Sequence, residues 1–201
     1  MGVSGVKIGL ISDIHCNVAG LTAALATLND CEHVLCAGDL LYQYRFSSEI
    51  LTLLREHKVH TIVGNHDRTI LYAPAHPLRA SASVDPTELR YLGSLPTSLT
   101  LTLDGARVAM FHGSPWDDGQ STAAHYVYQA NQHDVRRVAE TSEGADIVVL
   151  GHTHQAFSTW VGETLIVNPG SCGESRDPSG LLTCAAVDTA TGAFDIRSFA
   201  V

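Results

Sequence analysis

Residues 6–38, VKIGLISDIHCNVAGLTAALATLNDCEHVLCAG, decide the fold. The apolar runs VKIGLIS (6–12) and HVLCAG (33–38) flank NVAGLTAALATLND (17–30), where Val18, Leu21, Leu25 and Leu28 recur at helical spacing behind Asn17, a helix-capping residue type. A strand, helix, strand order makes the two strands parallel neighbours, because the helix returns the chain to its starting edge. SSEILTLLREHKV (47–59) repeats the helix signal, with Ser47 or Ser48 as cap and Ile50, Leu53 and Leu54 on one face, before the strand HTIVG (60–64). The first third is α/β.

The second half reads differently. TSLTLTLDGARVAMFHG (97–113) predicts a hairpin about Asp104 and Gly105, since Asp-Gly between alternating runs is a strong hairpin signal. ADIVVLGHTH (145–154), FSTWVGETLIVNPG (157–170) and LLTCAAVDTATGAFDIRSF (181–199) add strands joined by Gly-containing turns. Two mixed sheets with flanking helices follow, an α/β (α+β) arrangement. The polar stretches 72–94 and 114–144 are candidate rim or cap segments. With no repeat or linker, the 201 residues read as one domain, 1–201.

Composition narrows the function classes. The chain is 45% hydrophobic and 16% charged, as globular domains are. A net charge of -9 argues against non-specific nucleic-acid binding, which needs a basic face. No run approaches the roughly 20 apolar residues of a membrane span, and MGVSGVKIGLISD reads as a first strand, not a secretory signal. Five scattered cysteines (16, 31, 36, 172 and 184) argue against a disulfide framework and for the cytoplasm.

Chemistry collects at strand ends. Asp13 and His15 follow IGLIS, Asp39 follows VLCAG, Asn65 follows TIVG, His112 follows RVAMF, and His152 and His154 follow IVVLG. Each is an ordinary turn or capping residue by itself. In a parallel sheet the carboxyl ends of the strands share one edge, so these residues can converge although they span most of the chain. A set of oxygen and nitrogen ligands at five strand ends is what a metal site needs. Two carboxylates, four imidazoles and one amide exceed the needs of one ion and suit two divalent ions sharing a carboxylate. Cysteine is absent from these positions, which disfavours a structural thiolate zinc site. The mixed donors favour manganese, placed first, iron, zinc or nickel over magnesium or copper. An extended His152-Thr153-His154 would put both imidazoles on one face.

The blocks SDIHCN (12–17), AGDLL (37–41), GNHDR (64–68), FHGSP (111–115) and LGHTH (150–154), in that order, resemble the signature of the calcineurin-like metallophosphoesterase superfamily. VNPGS (167–171), LLREHKVHTIVGNHDR (53–68) and LRYLGSLP (89–96) resemble its small bacterial phosphodiesterase-like branch, so the resemblance runs over nearly the whole chain. It implies a four-layer αββα sandwich. By resemblance, Asp13, His15 and His154 bind one metal, Asn65, His112 and His152 a second, and Asp39 bridges them. His66 faces the substrate as general acid, with Asp67 as its partner. Two departures are visible: Cys16 stands where the family usually has Gly, and YQYRFSS (42–48) replaces a Gly- and Pro-rich loop.

Such a centre implies phosphodiester hydrolysis, with a metal-bridging hydroxide attacking phosphorus in line and His66 stabilising the developing charge or protonating the leaving oxygen. The expected substrate is a small phosphate ester or a nucleotide. Arg176 and Arg68 are candidate phosphate contacts. Tyr42, Tyr44 and Trp116 are candidate stacking residues, while Asn168 and Pro169 shape the turn beside GHTH. Competing readings are a phosphomonoesterase, protein phosphatase or dinucleoside polyphosphate hydrolase on the same centre. A non-catalytic scaffold of the same fold is a further alternative, against which the intact ligand set counts.

Overall fold

The run KIGLI forms β1 (Lys7–Ile11) in the computed structural model, which describes residues 5–118, 125–142, 144–176 and 179–201. Asn17 caps α1 (Val18–Thr27) through its side-chain oxygen, which accepts from Gly20 N at 2.9 Å. β2 (His33–Cys36) then lies parallel to β1, with Gly9 opposite Val34. Ser47 caps α2 (Ser48–Glu56), and β3 (His60–Thr61) continues the parallel order.

β3 is shorter than the sequence predicts. Ile62 N still donates to Cys36 O of β2, but Val63 N then donates to Pro96 O. The NHD stretch is also more than a turn: it opens α3 (Asn65–Tyr72). Asp67 occupies the third helical position, where its carboxylate accepts from Gly64 N and satisfies a free amide of the first turn.

Residues 72–94 hold α4 (Pro77–Ala80) and α5 (Pro86–Ser94). This segment joins the helical layer, where Leu92 is fully buried and Arg55 of α2 forks onto Glu88 of α5 at 2.7 and 2.9 Å, while Tyr72 and Ala73 at its start line a cavity with Asn65 and Arg68. In the other expected rim segment, residues 119–124 and 143 lie outside the described residues, and α6 (Gln132–Thr141) forms part of the remainder.

The remaining strands are β4 (Ser98–Leu103), β5 (Ala106–Phe111), β6 (Ile147–Val149), β7 (Ala156–Val161), β8 (Thr164–Pro169), β9 (Leu182–Asp188) and β10 (Phe194–Phe199). The Asp104-Gly105 hairpin forms as expected, with φ of 48° and 84° at its two central residues and Leu103 opposite Ala106. One sheet runs β10-β9-β1-β2-β3 and the other β4-β5-β6-β8-β7. In each, three parallel strands (β1, β2, β3 and β5, β6, β8) are joined by antiparallel ones.

Side-chain alternation turns these sheets into four layers. Ile8, Leu10, Leu35 and Ile62 of the first sheet meet Met110, Val108, Val149 and Val167 of the second in one core. Ile11 and Cys36 face the other way and pack under Leu21, Leu25, Ile50, Leu54 and Ile70 of the helices. Val135 and Val138 of α6 cover Ala109, Val148 and Ile166 on the outer face of the second sheet. The expected αββα sandwich is thus present, and both sets of parallel strands deliver their carboxyl ends to the ligand loops. No helix among the described residues is long and apolar enough to cross a membrane.

The inter-sheet core holds the two halves of the ligand set in register. Leu10→Ala, which removes a fully buried side chain from it, is expected to cost about 2–5 kcal/mol in denaturant unfolding. A loss below about 1 kcal/mol would contradict this packing.

Candidate metal centre

Tight loops follow the strands, and their backbone is unusual. Asp13, His15, Cys16, Asp39, His152 and His154 all have positive φ, between 49° and 69°. Non-glycine residues resist this left-handed region at roughly 1–3 kcal/mol each, so surrounding contacts must hold them there. The glycines of the motifs permit the approach: a Cβ on Gly64 would collide with the Asp39 carboxylate, and one on Gly151 with Ser12 Oγ.

Three donor groups result, and the ligand atoms within each lie within 4.8 Å of one another: Asp13, His15 and His154; His15, Asp39 and His66; Asp39, His112 and His152. Asp39 belongs to two of them. Its Oδ2 lies 3.2 Å from His112 Nε2 and 3.9 Å from both His15 Nε2 and His66 Nε2, while Oδ1 accepts from His66 N at 2.8 Å. His152 and His154 do enter different groups, although by left-handed turns and not by the extended alternation the sequence predicts.

Outer contacts aim the ligands. His112 Nδ1 lies 2.7 Å from Ala37 O and His154 Nδ1 lies 2.6 Å from Glu174 O. Donation to those carbonyls puts the ring proton on Nδ1 and leaves Nε2 as a lone pair for a cation. Asp13 Oδ2 accepts from Ser12 Oγ at 2.6 Å and His152 N at 2.9 Å. Asn168 Nδ2 donates to Gly151 O and Thr153 Oγ1, and Ser171 Oγ to Asp13 O, so the VNPGS block braces both ligand loops.

The donors fit a divalent cation better than they fit one another. Asp13 Oδ1 and His15 Nδ1 are buried without a hydrogen-bond partner, and His15 Nε2 and His154 Nε2 face each other at 3.1 Å. The tip of the Asn65 side chain lies 3.0 Å from His112 Nε2, 3.2 Å from Asp39 Oδ2 and 2.8 Å from His152 Nδ1. Alone among these acceptors, it must turn its amide nitrogen inward; a cation there would take its oxygen. Neutral imidazole, carboxylate and amide oxygen are ligands for divalent manganese, iron, zinc or nickel.

Electrostatics point the same way. Burial works to raise the Asp13 carboxyl, but the close His154 ring and the charges of His112 and His15 hold it below the usual carboxylate range. Asp39 is similarly lowered: burial opposes it and His112 prevails. Burial opposes charging of His112, yet Asp39 and Asp13 raise it to about 9. For His15 burial prevails and lowers the imidazole. The pocket demands positive charge.

Other expected residues are dispersed. Asp67 does not touch the His66 ring. Its carboxylate accepts from Leu40 N, Leu41 N and Gly64 N at 3.1, 3.0 and 2.8 Å, so it clamps the Asp39 loop to α3 and is a positioning residue. Burial and the neighbouring Asp39 charge raise it to about 7 against those three amides. Arg68 is paired with Asp117 at 2.5 Å, whereas Arg176 is exposed and close enough to His154 to oppose its charging. Trp116 lies under the Arg137 guanidinium at 4.1 Å and packs beside α6. Tyr42 stacks on His66 at 4.9 Å, and Tyr44 is 69% exposed beside it.

Two features escaped the sequence. Tyr126 stacks on His152 at 4.0 Å and 16°, and His125 joins Asp117, Asp118 and Ser114 next to the centre. Both lie in a polar segment without periodicity, so nothing local marks them.

Comparisons with known proteins agree with this geometry. The model of the calcineurin-like phosphoesterase superfamily domain matches residues 6–192. A probable metallophosphoesterase of Methanothermobacter thermautotrophicus is 28% identical over 178 residues, covering 86% of this chain and 81% of that protein. The crystal structure of a metallophosphoesterase from Sphaerobacter thermophilus superposes with a TM-score of 0.77 at 20% identity, over 98% of this chain and 88% of that one. A structure described as a novel archaeal phosphodiesterase has a TM-score of 0.59 at 20% identity, over 96% and 99%. With its donor groups and a family match over nearly its whole length, the chain belongs to the calcineurin-like phosphoesterase superfamily, the class of metal-dependent phosphoester hydrolases.

Proposed function

We propose that the chain is a single-domain, dinuclear phosphodiesterase of the cytoplasm, where its five free thiols suit a reducing compartment. The observation that carries the two-ion reading is the position of Asp39, the carboxylate common to two donor groups. Asp13, His15 and His154 would hold one ion and Asn65, His112 and His152 the other, with Asp39 contributing to both. Manganese suits the mixed donors best, with iron, zinc and nickel as alternatives. When bound, divalent ions supply Lewis acidity, lowering the pKa of water and neutralising phosphoryl oxygens.

The protein's own groups do the rest. The buried carboxylates fix the charge of the centre, and the carbonyls behind His112 and His154 keep their Nε2 atoms directed inward. His66 stands at the edge of this set with its side chain 20% exposed, facing the reacting group through Nε2. Arg176 gives an exposed guanidinium for a phosphoryl oxygen. Arg68 does not serve this purpose, because Asp117 engages it.

Asp39→Asn is expected to lose more metal than His112→Ala or His154→Ala after identical dialysis, as measured by elemental analysis. Full retention of metal and activity in Asp39→Asn would contradict the shared-ligand reading. The metal-loaded protein is also expected to hydrolyse an activated aryl phosphodiester, since the exposed Arg176 guanidinium offers a single phosphate contact and not the basic pocket a dianionic monoester needs. Turnover of aryl monoesters alone would favour a phosphomonoesterase.

A further inference from the structure

A cavity of about 780 Å³ opens between the C-terminal ends of α1 and α2, against the first sheet. It meets the sheet at His33 and Val34, where β2 begins, and at His60, where β3 begins. Asp39 and Asn65 follow the opposite ends of these strands, so the cavity shares no residue with the metal centre.

The floor of the cavity is apolar. Leu25, Leu28, Val34 and Leu53 form it, and all four belong to the core beneath the helices. Thr22 and Ala26 face it from α1, one turn apart, and their small side chains leave the gap unfilled. α2 ends at its mouth, where Val59 N donates to Leu54 O and Lys58 adopts left-handed backbone at φ 52°.

The rim is polar and mostly basic. His33, His57, Lys58 and His60 bring N–H donors to it, against one carboxylate, the exposed Glu32. The adjoining Asp30 carboxylate is already held by Lys7 and Arg197. The rings of His33 and His60 lie 5.8 Å apart, and burial together with His33 lowers the pKa of His60. An anion against both rings would act in the opposite direction.

We infer that this cavity binds a small organic monoanion, with an apolar chain or ring on the leucine floor and a carboxylate at the Lys58 and imidazole rim. Its volume is that of a small-molecule site, and an apolar lining with a few convergent polar groups is the usual make-up of one. Lys58 supplies the one permanent positive charge among the lining residues, which matches one negative charge, while the imidazoles add directed donors. A phosphomonoester would bring two charges to that single ammonium, and a neutral molecule would leave the rim donors unused. The site stands apart from the metal centre and does not rest on the phosphodiesterase reading.

Titration of 15N-labelled, zinc-loaded protein with 4-phenylbutyrate tests this. Saturable amide shifts are expected within residues 25–34 and 53–60, with a Kd below about 2 mM, the level a ligand of this size reaches. 4-Phenylbutanol, the same tail without the charge, should bind at least about tenfold more weakly. Lys58→Gly removes the ammonium at a position whose backbone suits glycine, and should weaken the carboxylate about tenfold while leaving the alcohol unchanged. Ala26→Trp, on the exposed face of α1, should fill the cavity and abolish both; if that variant does not fold, Lys58→Gly and the alcohol still decide. The inference is overturned if no saturable shifts appear in these segments, if the alcohol binds as tightly as the carboxylate, or if Lys58→Gly leaves carboxylate affinity unchanged. Phenylphosphonate run in parallel tests the headgroup: tighter binding of that dianion in the cavity would overturn the monoanion assignment.

Discussion

Burying two carboxylates a short distance apart is the constraint on which the molecule depends. Asp13 and Asp39 are at most 1% exposed, and each charge acts against the other. Buried charge without compensation costs several kcal/mol per group after relaxation. The described structure surrounds the pair with imidazoles from both sheets, of which His112 counters Asp39 and His154 counters Asp13. The two sheets must therefore align so that the five ligand loops meet at one edge, and the inter-sheet core fixes that alignment.

The local cost falls on the loops. Six ligand-loop residues adopt left-handed backbone, which isolated peptides would avoid. Long-range hydrogen bonds hold them: Asp13 N to Gly38 O, His15 N to Asp39 O, Gly151 N to His112 O and Cys172 N to Ser12 O. Each joins a loop to a neighbour from a distant part of the sequence. The ligand set is thus a property of the assembled sandwich, and cooperative folding and metal affinity share the same contacts. Divalent cations would also make a positive locus on a chain of net charge -9, drawing a phosphate group to one edge of an otherwise acidic surface.

Much of this was legible in the sequence, for a physical reason. Strand periodicity and the capping residues Asn17 and Ser47 act locally, so β1, α1, β2 and α2 could be read directly. The strand-end positions of Asp13, Asp39, His112 and His154 followed, because parallel order alone brings such ends together. What could not be read depends on backbone atoms or on packing across the fold. Asp67 and His66 are adjacent in sequence, which invited their pairing, yet the carboxylate turns to amides from the Asp39 loop while the imidazole meets the Gln43 amide. Backbone donors leave no mark in the residue pattern. Tyr126 reaches His152 from a polar segment, and Asn65 begins a helix where a turn was expected.

The central claim is that Asp39 is shared between two ions, each held by its own side chains. Anomalous diffraction from crystals of the manganese-loaded protein, collected on both sides of the metal edge, tests it most directly. The account predicts two peaks in each chain, one among Asp13, His15 and His154, the other among Asn65, His112 and His152, with the Asp39 carboxylate between them. A single peak, or a second one at Asp117, Asp118 and His125 in place of either site, would contradict it.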